Sequence, residues 1–339
     1  MTATSETARA HANHTRYQPG SAGGHYESFF QRANHPARPL AFWIRYTLFS
    51  PCGAPQAAIG ELWAIYFDGE TGQHVAVKKE VPFADCQFDR DRFGARIDGA
   101  QLAPGTLTGS ATSWNDSITW DLRFRGDADP LFLLPLALYE AKLPRAKSLV
   151  GLPMATYNGS LMVNANRVEV GDWVGSQNHN WGSRHTDWYA WGQVAGFDSH
   201  PDSFLEVATA RLKIGPLWTP YLTPIVLRHR GREIVANRIR QSLRSRAQFD
   251  YFSWRFACDA GHLHLDGHIE APREALVGLR YYNPPGGTKQ CLNSKIAACT
   301  LTLTDRSSGN ERVEILSTSH RAAFEVLTDD TAHGITIRV

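Results

Sequence analysis

Apolar and polar positions alternate along this chain in short runs, and the runs are cut by glycine, proline, asparagine and aspartate. Residues 41–50 (AFWIRYTLFS) and 60–67 (GELWAIYF) are aromatic and β-branched, the composition of buried strands. Similar segments recur at 74–81, 117–125, 161–164 and 168–177, then at 187–197, 203–214, 224–230, 249–258, 262–269, 276–282, 289–304 and 322–327. A first strand is expected to begin at His25. Only 130–141 and the basic stretch 237–246 carry a short helical pattern. Strands at this spacing with so little helix predict a mainly β protein, built as barrels or sandwiches and not from βαβ units.

Length adds a division. A chain of 339 residues is comfortable as two domains of about 150 residues each. The boundary is expected after Gly182-Ser183-Arg184-His185, which gives a disordered polar leader at 1–24 and β-rich domains at 25–185 and 186–339. No apolar run approaches the ~18 residues of a membrane-spanning helix, and no membrane span is expected. A net charge of +2 argues against a nucleic-acid partner. The arginines of 228–246 read as a solvated strand end followed by a short helix. Cys52, Cys86, Cys258, Cys291 and Cys299 include no Cys-x-x-Cys pair, so neither a zinc ribbon nor a disulfide framework is expected, and a reducing cytoplasmic compartment fits. No dinucleotide fingerprint, phosphate-binding loop or nucleophile elbow occurs, and no cofactor is expected.

The densest chemistry lies at 175–193, GSQNHNWGSRHTDWYAWGQ. Asn178, His179, Asn180 and Trp181 precede Gly182, and Trp188, Tyr189, Trp191 and Gln193 follow. Buried amides and an imidazole need partners, while four large aromatics are poorly placed in water. A cavity wall satisfies both demands; an inter-domain turn with satisfied amides is the plainer alternative. On a strand, Tyr189, Trp191 and Gln193 share one face and Trp188 takes the other. Trp43, in the first aromatic run, joins the candidate lining. Glu27 sits among aromatics in His25-Tyr-Glu-Ser-Phe-Phe-Gln-Arg32, where burial would raise its pKa and suit it to general-acid work. Pairing with Arg32 or Arg45 is the alternative.

Tyr26-Glu27-Ser28-Phe29-Phe30-Gln31-Arg32 resembles the Phe-Glu-Gly-Trp-Tyr-x-Arg opening of tocopherol cyclases and the Glu-Gly-Trp-Phe segment of AttH-like proteins. Asn178-His179-Asn180-Trp181-Gly182 is similar to the Asp-His-x-Trp-Gly core of the AttH and carotenoid 1,2-hydratase group, in the same order along the chain. The resemblance implies two tandem lipocalin-like (calycin-type) barrels around a ligand cavity. It also implies a hydratase, cyclase or pericyclase acting on isoprenoid or polyketide-like substrates. Ser28 stands where that pattern has Gly, and Asn178 where it often has Asp, which removes an obvious acid.

The expected activity is hydration, cyclisation or isomerisation of a hydrophobic, terpenoid or polyene-like molecule. Glu27 or His179 would serve as the acid, or shape alone would suffice in a pericyclic variant. A non-catalytic carrier of a lipid-like molecule would use the same barrel. A metal-dependent enzyme would need His262, His264, Asp266 and His268, which alternate along one strand and read more simply as a solvated face. Cys291, Asn293 and Lys295 form another alternating face, which would make Lys295 a buried base if it points inward.

Overall fold

A computed structural model describes residues 3–307 and 311–339. Strand accounts for 59% of it and helix for 7%, far from the roughly one-third helix of an average globular protein. The strands form two large sheets. The first has 12 strands and runs from His25–Asn34 to Asn166–Gly182. It curls into a nearly closed barrel around Phe42, Tyr46, Leu62, Trp120, Tyr157 and Trp173. The second has 10 strands and spans Trp188–Ala195 to Arg312–Thr328.

The two sheets repeat one plan. In each, four successive strands meander from an edge to a long hairpin, and the fourth from the edge, first in sequence, pairs with the hairpin's second arm. The hairpin arms are 18 and 17 residues long in both sheets, Ala146–Val163 with Asn166–Gly182 and Thr288–Asp305 with Arg312–Thr328. The sheets are also packed on one another. Trp43, Trp63, Ile65 and Phe67 of the first belong to the same apolar cluster as Trp191, Leu205 and Phe324 of the second.

Two expectations are corrected. Residues 3–24 are not a structureless leader: Ala3–Ala10 is helical, and Ala12, Thr15 and Tyr17 are buried. The helix expected over 130–141 shrinks to Ala137–Glu140. Pro130 and Pro135 deny the first turns their backbone donors, and Leu131 and Leu133 instead bury at a spacing of two. The polar strands between 86 and 113 carry too little apolar alternation to be read from sequence. The helix expected near 237–246 forms as Ile239–Arg244. No helix among the described residues is long and apolar enough to cross a membrane.

Candidate functional site

Register decides which side chains meet. His25–Asn34 pairs antiparallel with Asn166–Gly182, setting Glu27 opposite Trp181, Phe29 opposite His179 and Phe30 opposite Asn178. Because successive residues face opposite ways, Glu27, His179 and Trp181 fall on one side of the sheet, while Phe30 and Asn178 fall on the other. The two candidate motifs therefore serve two different places.

On the first side, His179 Nε2 donates to Glu27 Oε1 at 2.8 Å, and His25 Nε2 lies 2.9 Å from Oε2. The backbone N–H groups of Arg16 and Tyr17 donate to the same carboxylate at 2.7 and 2.9 Å. His179 Nδ1 contacts the Ala12 carbonyl at 2.8 Å, so both ring nitrogens face oxygen acceptors. Phe29 stacks on the His179 ring and Trp181 lies tilted against it, with ring centroids 4.2 and 4.6 Å away. Burial opposes ionisation of Glu27, yet the hydrogen bonds from His179 and His25 outweigh it and bring the pKa down to about 2. The expectation of a raised pKa is thus overturned: Glu27 is a fully partnered carboxylate. Its partners are neither Arg32 nor Arg45, which face the other way and donate to Gln193 and Ser28. The cover over this pair is residues 12–17. A surface depression of about 530 Å³ shares His14, Thr15 and Arg16 with that cover and is also lined by His11, Arg90 and Asp91.

The second side faces the other sheet. Asn178, Gln193, Trp191 and Trp43 are all buried there. Gln193 is the hub: its Oε1 accepts from Arg32 Nε (2.7 Å) and Ser176 Oγ (2.6 Å). Its Nε2 donates to Asn178 Oδ1 and Glu206 Oε2, each at 2.8 Å. Trp191 Nε1 donates to the other Glu206 oxygen at 2.8 Å. Burial pushes the Glu206 pKa up to about 7, only partly offset by these donors and by Arg32. Next to Trp191, Lys295 Nζ donates to Asn293 Oδ1 (2.6 Å) and Glu325 Oε1 (2.7 Å). Lys295 is fully buried, which lowers its pKa against the pull of Glu325.

An aromatic layer continues from there. Lys295 Nζ lies 5.4 Å from the Trp191 ring and 5.8 Å from Trp43. Trp43 meets Trp63 edge-on at 6.5 Å, and Trp63 meets Tyr281 at 5.7 Å. The Arg45 guanidinium sits 4.5 Å over Tyr281. Within this layer Trp43 Nε1, Trp63 Nε1 and Arg45 Nε are buried without a hydrogen-bond partner among the described residues, and the Tyr281 hydroxyl faces the Cys291 thiol.

Other candidates disperse. Asn180 lies opposite Ser28 with its Oδ1 unpartnered, and Tyr189 shares the inward face with Trp191. Trp188 points to the far side of its sheet, against Phe249 and Tyr221. His262, His264 and His268 each sit by a separate acidic side chain, Asp305, Asp259 and Glu270. Sequence reasoning passed over Glu206 and Trp63; the signal available was a lone Glu in the otherwise apolar run Phe204-Leu205-Glu206-Val207.

No protein-family model matches the chain. The uncharacterized protein Rv0493c of Mycobacterium tuberculosis H37Rv is 27% identical over 304 residues, 88% of this chain and 86% of that protein. A candidate AttH of Nitrosomonas europaea superposes with a TM-score of 0.55 at 11% identity, over 90% of this chain and 91% of that one. Kievitone hydratase of Nectria haematococca gives 0.56 at 10% identity, over 92% and 91%. CghA with Sch210972 gives 0.55 at 10% identity, over 93% and 94%. Together with the two repeated sheets, these likenesses show that the chain shares the overall fold of these three solved structures.

Proposed function

We propose that this protein is an enzyme of hydratase or cyclase type that takes a hydrophobic small molecule into the aromatic layer between its two sheets. The observation that carries the reading is the cluster of three buried donors, Trp43 Nε1, Trp63 Nε1 and Arg45 Nε, that lack a partner among the described residues. Each costs about 1–3 kcal/mol if left unsatisfied in the working protein, a cost that an oxygen-bearing ligand removes. The indole and phenol faces around them suit a polyene or terpenoid-like substrate that develops positive charge. Glu206, with a pKa of about 7, holds a proton near neutral pH and can give it up. Lys295, Asn293 and Glu325 form the polar end of the same layer. Kievitone hydratase and CghA, which share the fold, are a hydratase and a small-molecule-bound protein by name. The five cysteines are unbridged, which suits the cytoplasm.

The test uses full-length protein and a panel of polyene and terpenoid compounds, with products read by mass spectrometry. Hydration adds one water; cyclisation or isomerisation keeps the mass and shifts retention. Glu206→Gln is expected to lower turnover by about 100-fold or more while leaving tryptophan quenching by the compound intact. Trp43→Phe and Trp63→Phe, which remove the indole donors, should weaken the quenching. Full turnover in Glu206→Gln would remove Glu206 from the chemistry. Recovery of every bound compound unchanged would favour a carrier.

A further inference from the structure

The second sheet carries a cluster unrelated to the layer between the sheets. His200 lies in the turn between Trp188–Ala195 and Phe204–Arg211, His229 ends Ile225–His229, and Glu314 lies near the start of Arg312–Thr328. The strands bearing His229 and Glu314 are separated in the sheet by two others, so the residues meet across one end of the curled sheet. His200 Nε2 lies 2.8 Å from Glu314 Oε1, and His229 Nε2 lies 3.3 Å from Oε2. The three ligand atoms fall within 4.8 Å of one another.

Two features set this cluster apart from a surface ion pair. The Nδ1 atoms of both rings are engaged by serine hydroxyls, His229 with Ser203 at 2.8 Å and His200 with Ser199 at 2.9 Å. Such outer partners fix ring orientation and leave Nε2 as the nitrogen that faces a metal. His229 is also only 7% exposed, and its Nε2 meets Glu314 Oε2 at 3.3 Å, longer than the 2.8 Å of the His200 contact. A buried imidazole nitrogen and a carboxylate oxygen at that spacing suit two ligands around a shared cation. At metal–ligand distances of about 2.0–2.2 Å, tetrahedral ligands stand roughly 3.3 Å apart. The His229 separation of 3.3 Å matches that value, and the His200 separation of 2.8 Å is shorter. The turn itself is braced by Phe197 N–H to the His200 carbonyl (3.1 Å) and Ser203 N–H to the same carbonyl (3.1 Å).

We infer that His200, His229 and Glu314 bind a divalent transition metal, and that two imidazoles with one carboxylate select zinc, leaving a fourth position to water. The ion ties the 197–203 turn and the edge hairpin of residues 225–236 to the long hairpin of the second sheet. Arg230 Nη2 contacts Glu314 Oε1 at 2.6 Å from an exposed position and competes with the ion for that oxygen.

The experiment strips full-length protein with a chelator and titrates it with zinc chloride against a chromophoric competitor, with melting temperature followed in parallel. One zinc per chain and a rise in melting temperature are expected. Cobalt(II) should give the intense visible bands of a tetrahedral site. Glu314→Gln, at a partly exposed position where misfolding is not a concern, should abolish both uptake and the rise in melting temperature. His229→Ala should do the same, Ser203→Ala should weaken affinity by about 10-fold, and Arg230→Ala should tighten it. Absence of zinc uptake by the wild type, or equal uptake by Glu314→Gln and His229→Ala, would overturn the site and leave an ordinary ion-pair cluster.

Discussion

Replacing Glu27 with glutamine tests whether the buried pair is an anchor. In the folded protein the carboxyl has a pKa of about 2, against 4.5 for the free side chain. That is about 2.5 units, and at 1.36 kcal/mol per unit it corresponds to about 3 kcal/mol of stability. The folded pKa lies below the unfolded one, so this stability is present above pH 4.5 and is lost as pH falls from 4.5 towards 2. Glutamine keeps the shape but presents an amide NH₂ to one pair of donors, either Arg16 N–H with His179 or Tyr17 N–H with His25. A broken buried pair costs about 3–5 kcal/mol, in line with the titration figure. Urea unfolding followed by tryptophan fluorescence should show Glu27→Gln less stable by about 3 kcal/mol at about pH 7, with the gap narrowing below about pH 4.5 and closing towards about pH 2. Trypsin should also cut the variant after Arg9 and Arg16 faster than the wild type, because the cover over residue 27 has lost its tether. A gap that stays constant over that pH range would show that the ionised Glu27 carboxylate gains nothing from its donors, and the anchor reasoning would fail.

Lys295→Met leaves Glu325 buried with the neutral donors Asn293 Nδ2 and Cys291 Sγ but no charged partner, and should cost about 3–5 kcal/mol in urea unfolding. Adding Glu325→Leu should recover most of that loss; a double variant as unstable as the single one would refute the pairing. Gly182→Ala would place a Cβ 2.3 Å from the Arg145 carbonyl oxygen and 3.0 Å from Tyr26 Cε1. Since backbone cannot yield as a side-chain tip does, we expect a lower melting temperature and faster proteolysis near the 145–146 junction, and an unchanged melting temperature would contradict the contact.

Much of the fold was legible because strand alternation is a local signal. Residues 41–50, 60–67 and 187–197 carry enough aromatic and β-branched side chains to identify themselves, and the structure has strands at each place. The arm Ala146–Val163 was largely missed because its register shifts between Val150 and Leu152, Leu152 and Ala155, and Tyr157 and Gly159, breaking the period of two. The N-terminal segment was misread for a different reason. Its sequence has no apolar periodicity, and it is held by backbone N–H groups donating to Glu27, a contact no composition reveals. Tyr189, Trp191 and Gln193 were placed on one face by alternation alone, whereas Glu206 required knowing that Gln193 lies opposite it in the neighbouring strand. His200, His229 and Glu314 have no motif spacing, since strand order and not sequence distance brings them together.

Asn178 and His179 illustrate why a dense motif need not be a single wall. As neighbours on one strand they point to opposite sides, His179 to the N-terminal cover and Asn178 to the layer shared with the second sheet. Glu27 and Phe30 divide the same way on the paired strand. A slip of one residue in this pairing would exchange the faces, placing the Glu27 carboxylate against Trp191 and Trp43 without His179 to meet it. The same four residues thus specify register as well as contacts. The hydrogen bonds from Arg16, Tyr17 and His179 to Glu27 hold the strand from one side, and the Gln193–Asn178 bond holds it from the other. The N-terminal cover and the polar hub that contacts Glu206 thus grip opposite sides of one strand.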